Sequence, residues 1–94
     1  MATVRRLVLD ILKPHEPPII EITERLAELD GVEGVNSSLI EVDEEVKNIK
    51  ITMEGQIDPG EVRSLIENEG GSIHSVDEVA AGEVLVDKIE TPQD

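Results

Sequence analysis

Five side chains of this sequence are suited to bind a metal ion. They are Asp43, Glu44, Glu45, His15 and His74. Carboxylate oxygens alone suit calcium or magnesium, whereas imidazole together with carboxylate suits zinc or nickel. The three carboxylates follow one another between two runs rich in Ile and Val, in the stretch LIEVDEEVKNIKITM. We predict that these five residues form a site for a divalent cation such as calcium.

Other reactive groups are poorly represented. The chain has no Cys, which excludes disulfides, thiol chemistry and Cys-ligated zinc. Its serines lie outside any G-x-S-x-G setting, and neither a P-loop nor a G-x-G-x-x-G run is present. The sequence therefore favours a non-enzymatic protein, with no cofactor indicated beyond the cation.

The composition excludes several classes of partner. With 22 acidic and 8 basic residues, the formal charge of the 94-residue chain is −14. This charge repels nucleic-acid phosphates and anionic membranes, and the absence of Phe, Tyr and Trp removes the platforms on which bases stack. The amino-terminal run is too short to span a membrane and lacks a signal-peptide pattern, so we expect a cytoplasmic protein.

Residues 1–90 are predicted to form one domain, with residues 91–94 as a frayed carboxy-terminal tail. A chain this short buries a modest share of its surface, and assembly is the usual additional source of stability where disulfides are absent. We therefore expect a homo-oligomer.

The hydrophobic periodicity predicts alternating strands and helices. In chain order these are a strand over 4–12, a helix over 19–30, a strand over 35–43 in a hairpin with the next apolar run, a helix from Asp58 to about Gly70, and a strand over 72–79. Asp58 is the predicted N-cap of the second helix. Residues 82–89 are expected to add a short edge strand. Within the hairpin, we expect Val42 to face Ile49, with residues 44–47 as the connection.

The order βαββαβ indicates an α+β ferredoxin-like sandwich, with an antiparallel sheet of order 4-1-3-2 and two helices on one face. An open α+β sheet with another strand order is the alternative. In the ferredoxin-like order, the end of the first strand, the hairpin tip and the start of the last strand lie at one edge. The five predicted ligands would then approach one another there.

The outer face of this sheet is predicted to carry Val8, Leu12 and Leu39 among charged residues. A half-apolar open face usually contacts a partner, and an identical subunit is the simplest one. This face is therefore the predicted surface of self-assembly.

Four segments resemble a family of small archaeal proteins, the domain of unknown function 211 family. They read LDILKPHEP at 9–17, GVNSSLIEVD at 34–43, NIKITMEG at 48–55 and GGSIHSVDEV at 70–79. The resemblance runs from about residue 3 to residue 86. It implies a ferredoxin-like fold and a ring-shaped homo-oligomer, and it implies no established activity.

Two functional interpretations remain open. The first is a non-enzymatic oligomeric module that binds a divalent cation. The second is a sensor of a metal or an unknown small ligand, using the edge with His15 and His74 or a cleft between subunits. An enzyme is the third and least favoured.

Overall fold

The computed structural model describes residues 2–89, so the predicted frayed tail over residues 91–94 lies outside the described residues. Its elements are β1 (Val4–Pro14), α1 (Ile19–Ala27), β2 (Val32–Val42), β3 (Val46–Ile57), α2 (Pro59–Asn68) and β4 (Ser72–Ala81). The predicted βαββαβ order is confirmed.

The four strands form one antiparallel sheet in the order β2-β3-β1-β4. This is the predicted order 4-1-3-2 read from the other edge, so the ferredoxin-like fold is confirmed and the alternative strand order is excluded. Strand β3 lies between β1 and β2, and β2 and β4 are the two edges.

The hydrophobic core lies between the sheet and the two helices. Along β1 and β3, every second residue is buried, as expected for strands with one covered face. The buried apolar side chains are Leu7, Leu9, Ile11, Ile22, Leu26, Ile49, Ile51, Met53, Ile57, Val62 and Ile66. The core is aliphatic throughout and is centred on the two inner strands.

The helices start differently. At the start of α2, the Asp58 side chain accepts hydrogen bonds from the backbone N–H groups of Gly60 (2.9 Å) and Glu61 (3.4 Å). Pro59 follows in the first turn, where a missing N–H costs nothing. The predicted N-cap is thus confirmed. Helix α1 starts after Pro18 without a side-chain cap, and it ends at Ala27, earlier than predicted.

The predicted hairpin register is wrong. Ile49 pairs with Leu39 rather than with Val42, and Val42 pairs with Lys47. An irregularity in the pairing between Leu39 and Glu41 leaves Ile40 as an extra residue. The connection is also shorter than predicted, because β2 continues to Val42 and β3 begins at Val46.

This register corrects the predicted outer face. Leu39 pairs with a core residue of β3, Ile49, so it points to the helix side of the sheet and not to the open side. Val8 and Leu12 do lie on the open face, since their partners on β3 are Thr52 and Asn48. Most of the residues on that face are polar, so the structure offers little apolar surface there for assembly.

Residues 82–89 do not form the predicted edge strand. Two arginines of β1 hold this segment instead. The Arg5 guanidinium donates to the carbonyls of Gly82 (3.3 Å) and Glu83 (3.2 Å), and Arg6 donates to the Asp87 carboxylate at 2.8 Å. The segment is therefore attached to β1 by side-chain contacts and not by strand pairing.

The N-cap gives a direct test of the second helix. We expect Asp58→Ala to lower the free energy of unfolding by about 0.5–2 kcal/mol, because two N–H groups lose their acceptor. Urea unfolding followed by circular dichroism measures this. Asp30→Ala is the matched control, because Asp30 is an exposed acid after α1, and its effect should be smaller. Equal effects of the two substitutions would contradict the assigned capping role.

Candidate functional site

Two of the five predicted ligands meet at the hairpin tip. His15 lies in the loop between β1 and α1, and its Nε2 lies 2.9 Å from the backbone carbonyl oxygen of Asp43. A carbonyl oxygen only accepts, so Nε2 carries the proton and donates it. The predicted proximity of this loop and the β2–β3 hairpin is therefore correct for His15 and Asp43.

Asp43 organises the hairpin turn. Its Oδ1 accepts hydrogen bonds of 2.8 Å from the backbone N–H groups of both Glu45 and Val46. Its own N–H donates to the Val46 carbonyl at 3.0 Å. The N–H groups of Val46 and Glu45 hold the pKa of Asp43 below its usual value, because they stabilise the ionised carboxylate, and nearby His15 adds to this.

The other three predicted ligands are more dispersed. Glu44 and Glu45 are exposed at the tip, and His74 is exposed on β4. Within residues 2–89, no group of three or more His, Asp and Glu side chains is close enough to hold a metal ion. One copy of the chain thus brings His15 and Asp43 together without assembling the complete predicted set.

Lys13 is a buried charged residue that the sequence interpretation missed. Its side chain is fully buried, with an exposure of 0%, and its Nζ donates to the carbonyl of Pro14 at 2.6 Å and to that of Pro17. Burial lowers the pKa of Lys13, and the charge of Lys47 lowers it further. The buried ammonium group of Lys13 therefore holds the loop that carries His15 through hydrogen bonds to backbone carbonyls.

Ion pairs link the strands across the open face of the sheet. Arg6 contacts three carboxylates, those of Glu54 (2.9 Å), Asp87 (2.8 Å) and Glu78 (3.3 Å). Hydrogen bonds to Asp87 and Glu54 raise the pKa of Arg6 above its ordinary value. Lys50 pairs with Asp77 at 3.1 Å. These contacts join β1, β3, β4 and the segment after β4.

A wide groove of about 810 Å³ separates the two helices. Half-buried Leu29 and Leu65 lie in it, and Glu28, Glu61 and Glu69 are among the acidic residues that line it. None of the five predicted ligands lines this groove. The helices are linked across it by the ion pair between Arg25 and Glu69.

Exposed aliphatic side chains define the remaining surface feature. The large ones within residues 2–89 are Ile20, Leu39, Ile40, Val42, Val76, Val79, Val84, Val86 and Ile89. The first four lie on β2 or on α1, which packs against β2; we call them the β2-edge patch. Val76 and Val79 lie on β4 and form the β4-edge patch. The last three lie on the segment after β4, so no exposed large aliphatic belongs to an inner strand.

Among residues 2–89, no helix is long and apolar enough to cross a membrane.

The fold and this surface define a small ferredoxin-like α+β protein with an acidic surface and two aliphatic sheet edges. The chain matches the model of the DUF211 family, described as "Uncharacterized ArCR", over residues 5–94, and it belongs to this family. It is similar to the uncharacterised protein MJ0319 of the archaeon Methanocaldococcus jannaschii. The two are 47% identical over 95 residues, which cover 100% of this chain and 98% of the relative. The resemblance found in the four sequence segments is thus confirmed.

The pH dependence of the free energy of unfolding tests the effect of burying Lys13. Between about pH 8 and 11, lysines and the amino terminus dominate the titration because the chain has no Cys or Tyr. The pKa of Lys13 is lowered in the folded state, so the unfolded chain binds more protons at this residue in that range. The free energy of unfolding should therefore rise with pH from the lowered pKa to the ordinary value. Lys13→Met should remove this rise, measured by urea unfolding at several pH values.

Lys50→Met is a control with the opposite sign. The hydrogen bond to Asp77 raises the pKa of Lys50, so the stability that Lys50 contributes is lost as pH rises through the ordinary and raised values. Removing Lys50 should reduce the loss of stability above the ordinary lysine pKa and leave unchanged the rise below it that Lys13 causes. If wild type and Lys13→Met show the same pH slope, the assigned effect of burying Lys13 is wrong.

Proposed function

We propose that the protein is a non-enzymatic module that assembles with copies of itself. The observation that supports this is the position of its exposed aliphatic side chains. They occupy the two edge strands, helix α1 beside β2 and the segment after β4, and they are large residues exposed by about half or more. Exposed apolar side chains that are grouped on one part of a surface typically mark a protein–protein contact. The surface of assembly therefore differs from the open sheet face suggested by the sequence pattern.

Unpaired sheet edges strengthen the proposal. Strand β2 has 11 residues and strand β4 has 10, and each has one side without a hydrogen-bonded neighbour in the sheet. Exposed long edges offer backbone N–H and C=O groups to another chain. A second copy satisfies these groups and covers the aliphatic side chains at the same time.

The charge of −14 opposes assembly, because each copy repels the next. We expect a homo-oligomer larger than a dimer that becomes more stable as salt screens this repulsion. Native mass spectrometry and light scattering over a series of salt concentrations measure it. Val76→Glu, which places a charge in the β4-edge patch, should weaken assembly.

Gln56→Glu is the matched control for Val76→Glu. Gln56 is exposed on the inner strand β3, so the substitution adds the same charge away from both edge patches. It should leave the oligomer intact. A wild-type monomer in molar salt would refute the proposed function.

A divalent-cation site at the hairpin tip is a second proposal, supported by the contact between His15 and Asp43. Calcium takes about six to eight oxygen ligands, more than one tip supplies. The remaining ligands would come from water or from a second copy. Such a site would make the protein a metal-binding module or a sensor.

Calorimetric titration at fixed ionic strength tests the cation site. If the ligand is calcium, the heat of binding should disappear in Glu44→Gln/Glu45→Gln and persist in His15→Gln/His74→Gln. If it is zinc, the histidine variant should lose binding, and binding should fade at acid pH because a protonated imidazole cannot coordinate a metal. Equal heats in wild type and both variants would refute the site.

A further inference from the structure

Leu39 of the β2-edge patch and both residues of the β4-edge patch lie on the same side of the sheet. On β2, Leu39 pairs with buried Ile49, so its side chain points to the helix layer. On β4, Val76 pairs with Leu9 and Val79 pairs with Leu7, both core residues. These residues are nevertheless exposed by 50%, 52% and 54%. At these positions each edge therefore continues the core side of the sheet outward, with aliphatic side chains that the helices leave about half exposed.

The two edge strands also run in opposite directions. Strand β2 is antiparallel to β3, β3 to β1, and β1 to β4. It follows that β2 and β4 are antiparallel to each other. A second copy placed beside the first in the same orientation would thus bring its β2 next to β4 as a further antiparallel strand, with all helices on one side.

The edges differ in shape. Beside β4, α2 leaves an apolar groove of about 150 Å³ whose walls include the core residues Leu7, Leu9 and Val62. A cavity of about this volume accommodates a benzene-sized apolar group. Beside β2, α1 is joined to the strand, since the Thr23 hydroxyl lies 2.6 Å from that of Ser37. The β4 edge therefore has an apolar groove, whereas the β2 edge has exposed aliphatic side chains.

The charges of the edges differ as well. Residues 32–42 of β2 include Glu33 and Glu41 and contain no Lys or Arg. Arg63 of α2 lines the groove beside β4, and no carboxylate of residues 2–89 forms an ion pair with it. Strand β4 also carries two carboxylates, Asp77 and Glu78, but these are paired with Lys50 and Arg6. A β2 edge, whose Glu33 and Glu41 form no ion pair within residues 2–89, therefore meets less repulsion at β4 than at a second β2 edge.

We propose that β2 of one copy docks on β4 of the next, with Leu39 and Val42 packed against the β4-edge patch and its groove. This inference rests on the proposed self-assembly and specifies its contact. The contact is heterologous, because each copy uses two different edges. A heterologous contact closes into a ring or continues as a filament, according to the rotation between neighbours.

Cysteine cross-linking tests the contact cleanly because the natural chain has no Cys. Leu39→Cys and Val76→Cys are prepared singly, mixed at low salt, and then assembled at high salt before treatment with a short bismaleimide. The mixture should give covalent dimers, and each single variant alone should give none. A chain carrying both substitutions should give a ladder of covalent multimers.

Gln56→Cys mixed with either variant is the control and should give no product. Cross-linking of Leu39→Cys alone would show a β2–β2 contact and overturn the inference, as would cross-linking of Val76→Cys alone. If Cys at either site prevents assembly, Val42→Cys with Val79→Cys provides a second pair. Native mass spectrometry of each sample separates the two proposals. An intact oligomer without product from either pair refutes the edge contact alone, whereas a wild-type monomer refutes self-assembly itself.

Discussion

The structure depends on a mismatch between the sheet and the helices that cover it. Helices of 9 and 10 residues span about 15 Å, whereas strands of 10 to 12 residues span about 33–40 Å. The helices therefore cover only part of the length of the strands, and the aliphatic core lies beneath them. One end of the sheet is closed by the loop on Lys13, and the other by the segment that Arg5 and Arg6 hold. At the side edges, Leu39 of β2 and Val76 of β4 remain about half exposed.

The distribution of charge follows from the same geometry. Because the helices protect one face, the open face of β1 and β3 must remain polar, and its cations are matched to carboxylates on neighbouring strands. Arg6 is the clearest case, since it contacts three carboxylates, whose combined negative charge exceeds its single positive charge. Three of the eight basic side chains, Arg5, Arg6 and Lys50, thus link the strands and the segment after β4. Much of the negative charge remains on the surface, where salt controls how closely two copies approach.

Much of the fold was accessible from the sequence because its signals are local. Alternation in β1, the helical spacing of Ile22 and Leu26, and Asp58-Pro59 each depend on neighbouring residues. The hairpin register was not predicted correctly, because Ile40 is an extra residue in the pairing and the Asp43 side chain closes a shorter turn. Neither effect is visible in a pattern of apolar residues.

The candidate site was predictable only in part. The predicted strand order correctly placed His15 near the hairpin, because this proximity depends on the topology of the sheet alone. Lys13 was missed although it continues the alternation of Leu7, Leu9 and Ile11, because the strand was predicted to end one residue before it. The edge patches were missed for a different reason. Leu39 and Val76 have the pattern of core residues, and only the positions of the helices show that these side chains stay about half exposed.

The strand order also determines when the sheet can form during synthesis. Strands β1 and β2 do not pair with each other, because β3 lies between them, and both neighbours of β1 come later in the chain. A nascent chain that ends at the hairpin tip has one helix and two strands without a partner. Formation of the sheet must therefore wait until β3 has left the ribosome, and until then the aliphatic face of β1 depends on α1 alone for cover.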